Sequence, residues 1–482
     1  MSFAFPAADI APLAWFMPAA LILTAERVRL RRALGLGWVF GVAFFGSVLV
    51  WISLVGWIAW ALLVAVQALF VALFAGSWSL ISPYGGRAVR ILAPAVLWVA
   101  SEWLRSTMPV HGFTWGVLAQ SQHNLPWMLR LGAIGGGWLI SFVCVLIAGL
   151  ATEAVRTALS RRWRATAWCA AAAALCAGLP ALIPATHASG RSIDVVIVQG
   201  NVPANSIPGA RATELAILRS HVRLTTALEG RHPDLVVWPE SAVGLDPFHD
   251  PVVARALRVA ARAADAPMLV GADVPAGPGY YRVVTLEVTP GGRIAAVYRK
   301  THLVPFGEYI PYRRYLRWAP MLRQVSEDAV AADHGRLFHV AGGEVAPVLS
   351  FEDDFSSLVR GRIAMGGRLL VVGTNTSTWG RSWASEQHVA MSQVNAAANG
   401  VWVVHGALSG ISAFVDPQGH VVARSALWEA TTLSHHVSFR RGETLYTRYG
   451  DWTAFASLAL GGAAVVYGLA RRAWARRRDT VA

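Results

Sequence analysis

The chain has 482 residues, of which 55% are hydrophobic and 15% charged, and its formal net charge is +14 at pH 7. This composition is typical of membrane proteins and excludes an ordinary water-soluble enzyme made only of globular domains. The positive charge lies mostly in arginine clusters beside apolar segments, so we expect no nucleic-acid partner.

Seven apolar segments predict membrane-spanning helices, because a span needs about 20 apolar residues. No charged side chain occurs between Ala33 and Gly86, which leaves room for two of them. The predicted spans are 10–25, 34–54, 57–80, 88–104, 128–150, 166–185 and 451–470. Glycines at the start of the fifth span predict helix packing or a bend. Glu102, in the fourth span, is expected at the membrane interface.

Four arginine clusters predict the orientation of the spans. They follow the first span, flank the third loop, separate the fifth and sixth spans, and end the chain: Arg27, Arg29, Arg31 and Arg32; Arg87 and Arg90; Arg156, Arg161, Arg162 and Arg164; Arg471, Arg472, Arg476, Arg477 and Arg478. Alternating spans bring all four clusters to one face, which the positive-inside rule makes cytoplasmic. Residues 186–450 are therefore expected outside the cytoplasm.

The segment outside the cytoplasm has a different pattern, in which short β-branched runs alternate with amphipathic stretches. Its predicted strands are 194–199, 235–238, 268–271, 282–289, 294–298, 347–351, 369–373, 402–405 and 411–415, and its predicted helices are 210–229, 251–264, 354–365 and 384–399. This alternation favours a two-sheet α/β sandwich. We therefore divide the chain into a helical bundle of about six spans at 1–188, an α/β domain at 189–450, and a last span with a basic tail at 451–482.

Cysteines and histidines limit the chemistry of the predicted α/β domain. The chain's three cysteines, Cys144, Cys169 and Cys176, all fall in predicted spans. The domain therefore has neither a disulfide nor a thiol nucleophile. The histidines show no metal-ligand spacing with cysteine or acidic residues, so neither a metal nor another cofactor is expected.

Lys300 is the most informative residue of the domain, because it is the only lysine among 42 basic residues. A position that stays lysine in such a chain indicates a need for an ammonium whose pKa can be lowered. Glu240, in the sequence Trp238-Pro239-Glu240, and Ser350 also lie at the C-terminal ends of predicted strands. The carboxyl ends of strands are where α/β folds place their sites.

These residues, together with His302–Pro311 and Gln199-Gly200-Asn201, make the chain resemble the apolipoprotein N-acyltransferases. The resemblance covers nearly the whole chain and implies a polytopic α-helical membrane bundle with an extracytoplasmic nitrilase-like (carbon–nitrogen hydrolase, αββα sandwich) domain in the bacterial inner membrane. It implies that Glu240 is the general base, Lys300 the oxyanion stabiliser and Ser350 the residue in the nucleophile position, with Glu308 and Glu352 in support.

The resemblance also implies the reaction and its partners. The family transfers an acyl chain from a phospholipid to its own nucleophile, and then to the N-terminal amine of a diacylglyceryl-cysteine lipoprotein. The expected partners are therefore a phospholipid donor, a diacylated lipoprotein acceptor and the membrane, and the protein is expected to be a monomer.

Ser350 is the main departure from the family, which has cysteine at this position. A serine hydroxyl is much less acidic than a thiol and needs its proton removed during attack, usually by histidine. Phe351 and the segment Thr374–Gly380 depart from the family as well. Two alternatives to an active acyltransferase therefore stay open: a catalytically silent homologue that binds lipoprotein, lipid or a partner enzyme, and a membrane-tethered amidase.

Overall fold

The computed structural model describes residues 2–6, 8–203, 209–316, 322 and 325–479 of the chain. The described part forms two compact units, one made of Met1–Ala185 with Tyr449–Ala482, and one made of Thr186–Arg448. The helical unit contains the chain termini, and the second unit contains both β-sheets. The last three residues of the predicted basic tail lie outside the described residues.

Fourteen α-helices occur in the described residues. In chain order they are α1 (Leu13–Ala25), α2 (Leu30–Val48), α3 (Trp57–Ile81), α4 (Arg87–Thr107), α5 (Pro126–Leu129), α6 (Gly132–Leu159), α7 (Trp163–Gly178), α8 (Ala210–Thr226), α9 (Pro251–Ala264), α10 (Arg313–Leu316), α11 (Ser356–Ala364), α12 (Ala384–Asn399), α13 (Leu445–Tyr449) and α14 (Trp452–Asp479).

Each predicted span of the helical unit coincides with one long helix, namely α1, α2, α3, α4, α6, α7 or α14. Four apolar segments of the described residues are long and apolar enough to cross a membrane by length and composition: Trp57–Ile81, Gly132–Leu159, Trp163–Leu182 and Trp452–Ala475. The other three helices are shorter or carry more charge, as the arginines of α2 and α4 illustrate.

Two details of the helical unit follow from its sequence. The predicted bend lies inside α6, where Gly136 adopts φ 67° and ψ −167°, a conformation open essentially to glycine alone. Glu102, which was expected at the membrane interface, lies inside the protein. Its side chain is buried, and its Oε1 accepts the N–H of Leu118 at 2.9 Å. A carboxylate that accepts a backbone hydrogen bond replaces part of its lost hydration.

Thirteen β-strands occur in the described residues, all in the second unit. They are β1 (Ser192–Gln199), β2 (Leu235–Val243), β3 (Met268–Pro275), β4 (Tyr280–Val288), β5 (Ile294–Arg299), β6 (Asp328–Ala329), β7 (Phe338–Val340), β8 (Gly343–Leu349), β9 (Leu369–Thr374), β10 (Val403–Ala407), β11 (Ala413–Val415), β12 (Val421–Arg424) and β13 (Thr431–Ser438).

The strands form two sheets. The first has the order β13-β1-β2-β3-β4-β5, with β6 paired to β4, and the second has the order β12-β11-β10-β9-β8-β7. In the first sheet β1, β2 and β3 are parallel, and in the second β8, β9 and β10 are parallel. Parallel neighbours bring their carboxyl ends to the same edge of each sheet.

Three apolar layers hold the second unit together. Alternate residues of β1 show why: Val195 and Ile197 belong to a core between the two sheets, whereas Val196 and Val198 belong to a core shared with α8 and α9. The third core joins the second sheet to α11 and α12. Strands buried on both faces explain the nearly continuous apolar runs in the sequence. The predicted α/β sandwich is confirmed as four layers, helix–sheet–sheet–helix.

The strand boundaries contain the main errors of the sequence-based prediction. Strands β6, β7, β12 and β13 were not predicted, and β8 begins at Gly343 and ends at Leu349, not at 351. The missed strand β13 pairs antiparallel with β1 along its whole length, from Ser192 opposite Ser438 to Gln199 opposite Thr431. Its sequence is polar and only partly buried, so it has little of the alternation that identifies a strand.

Candidate active site

Lys300, Glu240 and Glu308 form a buried ionic cluster in the second unit. Lys300 follows β5, and its Nζ donates to Glu240 Oε1 at 2.9 Å and to Glu308 Oε1 at 2.5 Å. The Lys300 side chain is 0% exposed, and those of Glu240 and Glu308 are 7% and 15% exposed. Because its charge is fully desolvated, the lysine depends on both carboxylates.

The charges of this cluster set its protonation. Burial alone would lower the pKa of Lys300, but the carboxylates of Glu240 and Glu308 outweigh burial and raise it. The expectation of a lowered lysine pKa was therefore wrong, and the two carboxylates favour the charged form of Lys300. Burial, with help from the Glu308 charge, raises the pKa of Glu240 despite its contact with Lys300. One ammonium cannot fully compensate two buried carboxylates, so the charged form of Glu240 is less favoured than that of an exposed carboxyl group.

Ser350 lies where β8 ends and a 3-10 helix, Ser350–Asp354, begins. Its φ is 45°, in the left-handed region that a serine seldom adopts, and such strain is common at functional sites. The register pairs Leu349 of β8 with Gly373 of β9, which brings Ser350 beside Thr374. Their hydroxyl oxygens are 3.2 Å apart, and Thr374 is the one hydrogen-bond partner of Ser350 Oγ among the described residues.

The ionic cluster and Ser350 occupy neighbouring strand ends. Glu240 lies in β2, and its Oε2 accepts the N–H of Asn375, which directly follows Thr374, at 3.1 Å. A Cβ at Gly373 would lie 3.2 Å from the backbone nitrogen of Glu240 and 3.3 Å from Leu349. This glycine therefore allows β2 of the first sheet to approach β8 and β9 of the second. Glu240 and Lys300 share a hydrogen bond. Ser350 is connected to Glu240 through two consecutive residues at the end of β9, since Thr374 contacts Ser350 and Asn375 donates to Glu240.

Glu352 connects the lysine loop to the serine strand. Its Oε1 accepts from the backbone N–H and hydroxyl of Thr301 and from the N–H of His302, at 2.8, 2.7 and 3.2 Å. Its Oε2 accepts from the Tyr298 hydroxyl at 2.6 Å and from the N–H of Leu349 at 2.9 Å. Five donors to one carboxylate make Glu352 a positioning residue that fixes the lysine loop against the end of β8.

Asp273, in β3, is a titratable group that the sequence did not indicate. Burial and the neighbouring Glu240 charge raise the pKa of its carboxyl to about 7. Its Oδ1 has no hydrogen-bond partner among the described residues. Two carboxyl groups with raised pKa values, Glu240 and Asp273, therefore lie near each other, which is typical of sites that move protons.

Thr374 and His388 were also missed by the sequence analysis. Thr374 Oγ1 lies 3.2 Å from His388 Nδ1, and His388 is on α12, a helix buried on nearly all sides. The signal was present in the spacing of the polar residues of this helix: Ser385, His388, Ser392, Asn395 and Asn399 recur every three or four positions. Such a polar stripe on a buried helix indicates a hydrogen-bonded network in place of an apolar contact.

Among the described residues, no group of three or more histidine, cysteine, aspartate or glutamate side chains is arranged to hold a metal ion. The arrangement can instead do acid–base and nucleophilic chemistry. It combines a hydroxyl on a strained turn, a fixed ammonium and carboxyl groups with raised pKa values.

Comparisons with known proteins match two parts of the chain to two different family models. Residues 1–150 match the family model for the apolipoprotein N-acyltransferase N-terminal domain, and residues 196–445 match that for carbon-nitrogen hydrolase. The chain is similar to proteins named apolipoprotein N-acyltransferase from Geobacter metallireducens, with 29% identity over 98% of this chain and 93% of the relative, and from Azotobacter vinelandii, with 30% identity over 94% and 90%.

A third relative of the same name, from Methylococcus capsulatus, is 31% identical over 83% of this chain and 78% of its own. Among solved structures, an amidase from Nesterenkonia sp. matches 54% of this chain and 93% of that chain with 16% identity and a TM-score of 0.39.

Proposed function

Because the chain belongs to the apolipoprotein N-acyltransferase family, we propose that it transfers a fatty acyl chain from a phospholipid to the N-terminal amine of a diacylglyceryl-cysteine lipoprotein. The observation that carries this proposal is the buried ionic cluster of Lys300, Glu240 and Glu308 beside the strained hydroxyl of Ser350. The departure at Ser350 changes the nucleophile and leaves the rest of this machinery in place.

In the first half of the reaction, Ser350 Oγ bonds to the ester carbonyl carbon of the phospholipid and gives up its proton to a base of the site. The tetrahedral intermediate carries a negative oxygen, and the fixed ammonium of Lys300 stabilises that charge. Glu240, whose pKa is raised by burial, gives its proton to the departing lysophospholipid oxygen. The product is an acyl ester of Ser350.

In the second half, the lipoprotein amine attacks this ester. Glu240, now ionised, accepts the proton that the amine loses, and the carbon–oxygen bond to Ser350 breaks as the base of the first half returns its proton to Ser350 Oγ. Glu240 thus ends the cycle in the protonation state in which it began. Glu308 holds Lys300 in place, and Glu352 holds the lysine loop against the serine strand.

We further propose that the second unit faces the extracytoplasmic side of a bacterial inner membrane. The argument is the positive-inside rule, since the four arginine clusters fall on one face when the spans alternate. A donor taken from the bilayer and an acceptor anchored in it both suit an enzyme with several apolar helices.

The experiment that tests the function compares three forms of the full-length protein in detergent: Ser350, Ser350→Ala and Ser350→Cys. Each form receives phospholipid with a deuterated acyl chain and a synthetic diacylglyceryl-cysteine peptide. We expect labelled amide from the serine form, none from Ser350→Ala, and at least tenfold faster transfer by Ser350→Cys, because a thiol has a pKa of about 8.5 and a thioester is the better acyl donor.

The silent homologue predicts a different result. In that case neither the serine form nor Ser350→Cys makes labelled amide, although both are folded. An amidase would instead release free acid or ammonia from an amide substrate without transferring the acyl chain to the peptide. Either outcome would overturn the proposed acyl transfer.

A further inference from the structure

Ser350 begins a chain of hydrogen bonds that ends at a buried histidine. Ser350 Oγ lies 3.2 Å from Thr374 Oγ1, and Thr374 Oγ1 lies 3.2 Å from His388 Nδ1. On the other side of the ring, His388 Nε2 lies 3.3 Å from the carbonyl oxygen of Ser350 and 3.5 Å from Asp354 Oδ1. All four residues are buried, with Ser350 the most exposed at 7%.

The partners of the imidazole fix the direction in which protons move. The Ser350 carbonyl oxygen can only accept a hydrogen bond, so Nε2 carries the hydrogen of the neutral ring. The lone pair of Nδ1 is then free to accept from the Thr374 hydroxyl, and the Thr374 oxygen accepts from Ser350. Every hydrogen in the chain therefore points from Ser350 towards His388.

Glu240 is differently placed. Among the described residues, its two carboxylate oxygens accept from the Lys300 ammonium and from the N–H of Asn375, and its hydrogen bonds do not include Ser350 Oγ. A serine hydroxyl must lose its proton as it attacks, so the base has to be connected to that hydroxyl.

We propose that His388, acting through the Thr374 hydroxyl, accepts the proton of Ser350 during acyl transfer. The inference rests on the proposed function and deepens it, because it assigns the base that a serine nucleophile requires. As Ser350 Oγ bonds to the acyl carbon, its proton passes to Thr374 Oγ1, and the proton of Thr374 passes to His388 Nδ1.

The second half of the reaction reverses this transfer. When the bond between the acyl carbon and Ser350 Oγ breaks, His388 returns its proton to Thr374, and Thr374 gives its own to Ser350. His388 and Glu240 thus hold one proton each at different times, and both residues end the cycle as they began. Burial lowers the pKa of His388 to about 4, so the imidazolium between the two halves depends on an ionised Asp354, whose Oδ1 lies 3.5 Å from Nε2.

Asp354 fits this role because a buried carboxylate costs free energy unless a cation lies beside it. Its side chain is 0% exposed, and His388 is the polar neighbour that the structure gives it among the described residues. Burial, together with the Asp353 charge, raises the pKa of Asp354. A positive charge on His388 would favour the ionised form of Asp354, as the charge of Lys300 does, so the carboxyl group and the imidazole can become charged together between the two half-reactions.

The test uses the chemistry of cysteine to separate proton transfer from folding. His388→Asn keeps a polar side chain but has no basic nitrogen. In the full-length serine form we expect it to slow labelled-amide formation at least 100-fold, within the range of general base catalysis. In the Ser350→Cys background we expect less than a threefold loss, because a thiol ionises without the relay.

Substitutions at Thr374 test the proton relay independently of those at His388. Thr374→Ser keeps the bridging hydroxyl and should retain transfer within about threefold, whereas Thr374→Val removes the hydroxyl and should behave like His388→Asn, about 100-fold slower. His221→Asn is the matched control, since His221 is also fully buried but lies on α8, where its ring nitrogens contact Ile217 and Gly200. It should keep the rate per folded protein in both backgrounds.

Each outcome separates the inference from the proposed function. Equal losses for His388→Asn in the serine and cysteine backgrounds would mean a structural role and overturn the relay. An unchanged rate in the serine background would also overturn it, as would a serine form that is inactive while Ser350→Cys is active. If neither form transfers the acyl chain with the relay intact, the proposed function itself fails, and the relay fails with it.

Discussion

Removal of the Lys300 charge should destabilise the second unit as well as abolish transfer. In Lys300→Met the carboxylates of Glu240 and Glu308 lose their shared ammonium at sites that are 7% and 15% exposed. Breaking a buried ion pair by removing one partner costs about 3–5 kcal/mol. For a unit of this size each kcal/mol lowers the melting temperature by about 2–4 °C, so we expect a decrease of about 6–20 °C at pH 7.

The assay is thermal unfolding of the full chain in detergent, followed by tryptophan fluorescence at pH 7 and pH 5. The decrease in melting temperature should be smaller at pH 5 than at pH 7. Burial raises the pKa of Glu240, so more of this carboxyl group is protonated at pH 5, and a protonated carboxyl group needs no cation. Lys300→Met combined with Glu240→Gln and Glu308→Gln should regain most of the stability and none of the transfer. Arg299→Met, an exposed neighbouring cation, is the control and should melt within about 2 °C of the parent. A Lys300→Met protein that melts with the parent at pH 7 would refute this reasoning.

Three further predictions follow from particular contacts. Glu352→Gln should lower stability by about 2–4 kcal/mol and slow transfer, because an amide cannot accept all five hydrogen bonds, and an unchanged melting temperature would contradict this. Burial lowers the pKa of His221 to about 4, so its neutral form stabilises the native state fully above pH 6.5 and loses this contribution as the pH falls to 4. The stability difference between the parent and His221→Asn should therefore shrink by about 3 kcal/mol over that range, and a constant difference would contradict it. Gly291→Cys, in an exposed turn, should react with a membrane-impermeant maleimide in intact cells, and labelling only after lysis would reverse the proposed orientation.

The sequence was informative wherever one local pattern determined one element. The apolar runs located the seven helices of the helical unit that were predicted as spans, and the run Leu235–Trp238 with the following Glu240 located the buried strand β2 and its buried carboxyl group. The turn residues Pro290-Gly291-Gly292 lie between β4 and β5. In each case hydrophobic periodicity or turn chemistry within a short window is sufficient.

The rest depends on contacts between distant residues. Strand β13 is held by β1, more than 200 residues away in the sequence, and its own pattern is too polar to predict it. The direction of the Lys300 pKa shift could not be predicted for the same reason, because the two carboxylates that raise this pKa are brought to one nitrogen by the fold. Thr374 and His388 belong to the hydrogen-bond chain of Ser350 only because β8 and β9 pair in parallel and α12 packs against their ends.

The most direct test of the central claim is to find the acyl group on Ser350. The full-length protein is incubated with phospholipid carrying a deuterated acyl chain, without acceptor, and is then quenched with acid and cleaved with trypsin. Fragment 337–360 contains Ser350 and should gain the mass of the deuterated acyl chain. It should lose that mass when a diacylglyceryl-cysteine peptide is added before the quench, and Ser350→Ala should never gain it. If the fragment stays unmodified while labelled amide accumulates, or if Ser350→Ala carries the same label, Ser350 is not the acyl carrier.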